Sequence, residues 1–315
     1  MVDSTEIAKP PARRLDHLRA SSRPRASTSS AEVVAEFERP VMLYSIGKDS
    51  SVLLRLAQKA FHPGPIPFPL LHIDTTYKFR EMIEFRDRYA TEIGARLIVH
   101  TNDEAIADGT QPFTGRHAAL LRRCSRPSRC STRSRPAGYD AAFGGARRDE
   151  ERSRAQGADL LAARRATASG IRRTSGPSCG ISLNGRVRPG ESIRVFPLSN
   201  WTELDVWNYI QRREHSRSSR STSRRSARSS SAANSLLMLE QPFVPLLPGE
   251  KPQRVMCRMR SLGCSPCTGA VRSDADTVAK IIAELIAAKH SERQLRVIDH
   301  DQDGSMELKK REGYF

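Results

Sequence analysis

The apolar run Val41-Met-Leu-Tyr44 empties into Ser45-Ile-Gly-Lys-Asp-Ser-Ser51, and the residues after it repeat at helical spacing. A strand running through a small-residue loop into a helix is how an α/β protein turns backbone N–H groups and a helix N-terminus toward a phosphate chain. The loop is not a Walker A loop, which would need glycine at Met42 and a hydroxyl at Asp49. Lys48 and the amides around Gly47 are the candidate phosphate ligands. Ser45, Ser50 and Ser51 offer hydroxyl hydrogen bonds. Asp49 stands where a carboxylate either caps a helix or holds a divalent cation.

The pattern repeats along the chain. Val52, Leu53, Leu56, Ala57 and Ala60 share one helical face, and Pro63, Pro65, Pro67 and Pro69 end that helix. Leu70–Ile73 is a second strand, a helix with Met82, Phe85, Tyr89 and Ile93 follows, and Leu97–Val99 is a third strand. Ala141–Phe143, closed by Gly144-Gly145, and Ile193–Phe196 supply the fourth and fifth. Alternation of this kind predicts an α/β fold, a parallel sheet with helices on both faces, with ligands at the carboxyl ends of the strands. Thr202-Glu-Leu-Asp205 reads as a capping box, and Ser273-x-x-Asp276 as the start of a helix bearing Val278, Ile281, Ile282, Leu285 and Ile286. The expected organisation is an N-terminal segment 1–31, a nucleotide-binding α/β domain 32–211, an Arg/Ser-rich stretch 212–233 and a smaller helical C-terminal region 234–315.

The net charge of +17 suggests a polyanion partner until its distribution is read. Residues 21–30, 114–137, 157–183 and 212–233 hold twenty arginines and no lysine, against only Asp159 and Glu214, and carry the whole excess. The remainder is near-neutral globular sequence. These stretches lack apolar periodicity and switch on and off within well-patterned sequence, as compensated frameshifts in a GC-rich gene would make them do. Reading the other two frames of the coding DNA tests that origin. Such segments are expected to be exposed and protease-sensitive, because burial cannot offset their ordering entropy. No run reaches the roughly 18 apolar residues of a membrane span, and the start Met-Val-Asp-Ser-Thr-Glu is unlike a secretion signal. A cytoplasmic location with reduced cysteines is expected.

Ser45-Ile-Gly-Lys-Asp-Ser50 resembles the pyrophosphate-binding loop of the ATP pyrophosphatase superfamily, SGGKDS, with Ile46 at the first glycine position. Further blocks sharpen this: Phe68-Pro-Leu-Leu-His-Ile-Asp-Thr75, Lys78-Phe-Arg-Glu-Met82, Tyr139-Asp-Ala-Ala-Phe-Gly-Gly-Ala-Arg-Arg-Asp-Glu-Glu151, Gly190–Glu203 and Gly304–Phe315. Together they resemble the small-subunit family of bacterial sulfate adenylyltransferase, over most of the chain outside the four Arg-rich stretches. The resemblance implies an adenine nucleotide alpha hydrolase-like fold. It also implies transfer of AMP from ATP to sulfate, giving adenosine 5′-phosphosulfate and pyrophosphate, in a heterodimer with a larger GTPase subunit whose GTP hydrolysis drives the step. ATP would be held by Ser45, Gly47, Lys48, Asp49, Ser50, Ser51 and Asp74, with Mg²⁺ on Asp49. Lys48, Arg147 and Arg148 would be the catalytic cations, the two arginines offering a fork to the sulfate dianion.

Two rivals are weaker. Sulfonucleotide reductases share the first loop and Asp74-Thr75, but their Glu-Cys-Gly-x-His segment is absent, and a reductase without its nucleophile has no chemistry. Cys264-Ser-Pro-Cys267, with Cys257 upstream, lacks the second ligand pair of a zinc site and reads as structural thiols. A nucleic-acid-binding role would rest on charge alone, without interleaved aromatics or a binding motif, so neither a nucleic-acid nor a membrane partner is expected.

Overall fold

The computed structural model describes residues 30–101, 139–150, 160–164, 170–171, 191–212, 225–232, 235–238, 253–265 and 268–287. A helix over 30–36 (α1) leads into strand β1 (Pro40–Leu43), then α2 (Lys48–Phe61), β2 (Leu70–Asp74), α3 (Arg80–Glu92) and β3 (Leu97–Thr101). β4 (Ala141–Phe143), β5 (Leu160–Arg164), β6 (Gly170–Ile171), β7 (Glu191–Val195) and α4 (Glu203–Gln211) follow. The strand order is β3-β2-β1-β4-β7-β5-β6. β3, β2, β1, β4 and β7 run parallel, as the sequence predicted, and β5 and β6 extend the sheet antiparallel.

The chain steps outward from β1 to β2 and β3, then resumes on the opposite side of β1 at β4. The gap between the carboxyl ends of β1 and β4 is therefore the topological switch point, where α/β sheets bind ligands. β1, β2 and β4 are almost wholly buried, which explains their short unbroken apolar runs. α2 turns Val52, Leu53, Leu54, Leu56 and Ala57 inward. α3 stops at Gly94 (φ +63°): the Gly94 N–H donates to the Thr91 carbonyl and the Ala95 N–H to the Ala90 carbonyl, a Schellman closure. α4 has the capping box read from the sequence, with the Thr202 hydroxyl accepting from the Asp205 amide and the Asp205 carboxylate accepting from the Thr202 amide.

The C-terminal region carries the expected helix, α5 (Val278–Ala287), but adds a closed antiparallel barrel of β8 (Arg225–Ala232), β9 (Ser235–Met238), β10 (Gln253–Met259) and β11 (Ala270–Arg272). α5 starts later than the sequence suggested. Thr277, not Ser273, lies at its head, accepting the Ile281 amide on its carbonyl. The Ser273 hydroxyl instead donates to Glu284 at 2.6 Å. Two Arg-rich stretches also contribute strands that the sequence did not predict: residues 160–164 and 170–171 pair beside β7, and 225–232 pair with β9 and β10. Ladder pairing satisfies backbone groups whatever the side chains are, so composition gave no signal for it. Residues 114–137 lie outside the described residues.

One buried group makes stability depend on pH. His72 in β2 is fully buried and its Nδ1–H donates to the Tyr44 carbonyl at 2.8 Å, which fixes the tautomer. Burial pushes its pKa down to about 4, overriding that hydrogen bond, with Lys78 and Arg86 adding to the depression. An unfolded histidine titrates near 6.5, so between roughly 6.5 and 4 the unfolded chain binds the extra proton and stability falls as pH falls. The expected loss is about 3 kcal/mol across that window. His72→Asn, which keeps a donor but cannot titrate, should flatten the melting temperature between pH 6.5 and 4.5. An unchanged slope would remove His72 as the cause.

Candidate functional site

The loop between β1 and α2 is shaped by Ile46, whose φ of +68° is a conformation favouring glycine. The isoleucine is held there with its side chain 1% exposed in the core. This is why the sequence pattern wants glycine at that position. The Ser45 hydroxyl donates to Ser50 Oγ at 3.2 Å and the Ser50 hydroxyl donates to the Gly47 carbonyl at 3.0 Å, so both brace the loop. Gly47 is the N-cap of α2 and no side chain caps it, which leaves the first amides of a 14-residue helix aimed into the switch point. Ser51 sits half-buried in the first turn.

From the far side, Gly145 lets the loop after β4 approach α2 closely. A Cβ there would meet the Asp49 carbonyl carbon, Asp49 Cβ and Ser50 N at 3.3 Å. The approach delivers Arg147, whose side chain has no solvent exposure. Its Nη1 donates to Asp49 Oδ1 and its Nε to Asp149 Oδ1 at 2.9 Å, while its backbone N–H donates to Glu150 Oε1 at 3.2 Å. Lys48 Nζ reaches the other Asp49 oxygen at 3.3 Å, so Asp49 links the two predicted cations across the switch point.

Two residues that the sequence reading did not assign to the site complete the cluster. Glu203, at the start of α4, lies 3.9 Å from Lys48 Nζ and accepts from Arg260 Nη2 at 2.7 Å. Lys48 Nζ also donates to the Arg260 carbonyl at 3.5 Å. Glu203 was legible as part of a capping box and as the end of the block Gly190–Glu203, and Arg260 was one arginine among many. The chain beyond Arg260 crosses to the end of β2: the Ser265 amide donates to the Tyr77 carbonyl at 2.7 Å, and Cys264 Sγ lies 3.0 Å from Thr75 Oγ1. Cys257 and Cys264 are buried, and Cys267 lies outside the described residues.

The other predicted residues sit differently. Asp74 accepts from the Thr76 amide at 2.8 Å and pairs with buried Arg86 at 3.6 Å, so it acts in the turn after β2. Arg148 is half-buried, its amide donating to the Ser199 carbonyl at 3.0 Å. Asp49 does not fit a Mg²⁺ site as placed, because Arg147 and Lys48 occupy its two oxygens. Among the described residues, no group of three or more His, Cys, Asp or Glu side chains is arranged to hold a metal. No described helix is long and apolar enough to cross a membrane.

The parallel sheet and the uncapped helix at its switch point define an α/β domain whose crevice suits an anionic ligand. Residues 39–270 match the phosphoadenosine phosphosulfate reductase domain family. The chain is 52% identical over 293 residues to sulfate adenylyltransferase subunit 2 2 of Alkalilimnicola ehrlichii, covering 90% of this chain and 93% of that one. It is 50% identical over 291 residues to sulfate adenylyltransferase subunit 2 of Myxococcus xanthus, covering 90% and 92%. The chain thus belongs to the sulfate adenylyltransferase subunit 2 family. Among solved structures, the phosphoadenylyl-sulfate reductase of Candida auris in its phosphate complex is similar at a TM-score of 0.43 and 15% identity, over 66% of this chain and 89% of that one.

Proposed function

We propose that this chain is the nucleotidyltransferase subunit that joins sulfate to the α-phosphate of ATP. A sulfate oxygen attacks the α-phosphorus, the bond to the bridging oxygen of the β-phosphate breaks, and pyrophosphate leaves. No side-chain nucleophile is needed, so the protein's work is to hold two anions in line and stabilise the charge that moves onto the leaving group. The observation that carries this reading is the convergence of Lys48, from the nucleotide loop, and Arg147, from the loop after β4, on the single carboxylate of Asp49. It puts two cations on either side of the crevice where the anions must meet.

In this reading the amides at Gly47 and the ammonium of Lys48 take the leaving pyrophosphate, with Ser45, Ser50 and Ser51 shaping the loop. Arg148 is assigned to the sulfate acceptor, and Arg147 supports it from within the ion cluster. Mg²⁺ brought with ATP would offset part of the phosphate charge, since among the described residues no carboxylate group is arranged to hold it. The anhydride formed is high in energy, so a partner that hydrolyses GTP supplies the drive, in a cytoplasmic heterodimer. Sulfate-dependent exchange of pyrophosphate into ATP, measured with the GTPase partner present, is the test. Exchange that ignores sulfate would overturn the acceptor assignment. Robust, GTP-independent adenosine 5′-phosphosulfate formation by the isolated chain would overturn the need for a partner.

A further inference from the structure

Among the described residues, Asp49, Asp149, Glu150 and Glu203 interlock with Lys48, Arg147 and Arg260 at the switch point. A carboxylate held on a cation competes with phosphate oxygens for that cation, so a carboxylate that shares the phosphate-binding cations has to give way when the nucleotide enters. The four are not equivalent. Asp49 sits in the first turn of α2 between two cations, and Asp149 and Glu150 both close on Arg147. Glu203 faces the other two cations instead: it stands 3.9 Å from Lys48 and 2.7 Å from Arg260. Its side chain is only 12% exposed, so the charge is poorly screened and acts strongly on whatever lies beside it.

Resting on the nucleotide reading above, we propose that Glu203 is the displaceable counter-ion of the phosphate site and that Arg260 is a third phosphate-binding cation. Glu203 holds Lys48 and Arg260 at the mouth of α2. Phosphate oxygens then replace the carboxylate on both cations. Arg260 reaches the crevice because its own carbonyl is tied to Lys48 and the chain after it is fastened to the β2 loop through Ser265 and Tyr77. The barrel thus contributes one wall of a site that the sequence placed wholly in the α/β domain.

The test is ATP binding by calorimetry to the full chain, to Glu203→Gln and to Arg260→Gln. Glu203→Gln removes the competing charge while keeping shape, and should tighten ATP by about fivefold with a shallower dependence on salt. Arg260→Gln should weaken ATP by roughly tenfold and leave adenosine binding unchanged. Tightening distinguishes a displaced counter-ion from a structural role, since local damage at the head of α4 would only weaken binding. Unchanged or weaker ATP binding by Glu203→Gln, in a chain whose parent binds ATP, overturns this proposal alone. A parent that binds no ATP overturns the nucleotide reading beneath it as well.

Discussion

Arg147→Ala is expected to cost about 3–5 kcal/mol of folding stability, among the largest losses for a single substitution here. The guanidinium is fully buried and answers Asp49, Asp149 and Glu150 together. Removing it takes a cation from buried Glu150 and from Asp49, which keeps Lys48, and uncompensated buried charge costs far more than the pair itself contributes. Arg147→Lys keeps the charge but not the planar fork that answers two side-chain carboxylates at once, so it should fall between the parent and the alanine variant. Urea denaturation of the three proteins checks the order. A loss below about 1 kcal/mol for Arg147→Ala would mean that the cluster is solvated and Arg147 is no hub.

The same geometry revises the separation of roles that the sequence suggested, with Lys48 acting on the nucleotide and Arg147 on sulfate. Both cations hold Asp49. Without Arg147, the carboxylate would draw Lys48 away from the phosphates, so Arg147→Ala should weaken ATP binding as well as sulfate use. Residues sharing a partner are coupled, and the two substitutions should not add.

Much of the fold was legible because its signals are local. The apolar runs at β1, β2 and β4, the Gly144-Gly145 stop and the capping box at Thr202 each act within a few residues. The barrel was not legible. β8 carries Arg-Ser-Ala-Arg-Ser-Ser-Ser-Ala, with no alternating apolar face, and exists through pairing with β9 and β10. The site divided the same way. Lys48 and Asp49 lie together in the first turn of α2, whereas Glu203 and Arg260 join them only through the topology, the Lys48–Arg260 bond spanning 212 positions. Sequence spacing reports what a helix or strand does to its neighbours. It does not report which distant loops the sheet order brings to one crevice.

Lys48→Ala should weaken ATP binding ten- to hundredfold, the loss of one charge-assisted contact worth roughly 1.5–3 kcal/mol. The fold should survive better than in Arg147→Ala, because the carboxylates left behind keep cations: Asp49 retains Arg147 and Glu203 retains Arg260. Lys48 is 4% exposed and stands in the first turn of α2, so its ammonium acts from a poorly hydrated position where a phosphate contact is strong. The contact is assigned to the β- and γ-phosphates, and this gives the prediction its discriminating form. AMP, which lacks them, should bind the parent and the variant alike, while ATP loses its advantage over AMP. Lys48→Arg should recover part of the affinity, since charge is restored but the bulkier guanidinium must fit against Glu203 and the Arg260 carbonyl. Calorimetry with both nucleotides on all three proteins separates the cases. Equal weakening of AMP and ATP would move Lys48 off the phosphate tail and make it a structural pin between α2 and the barrel.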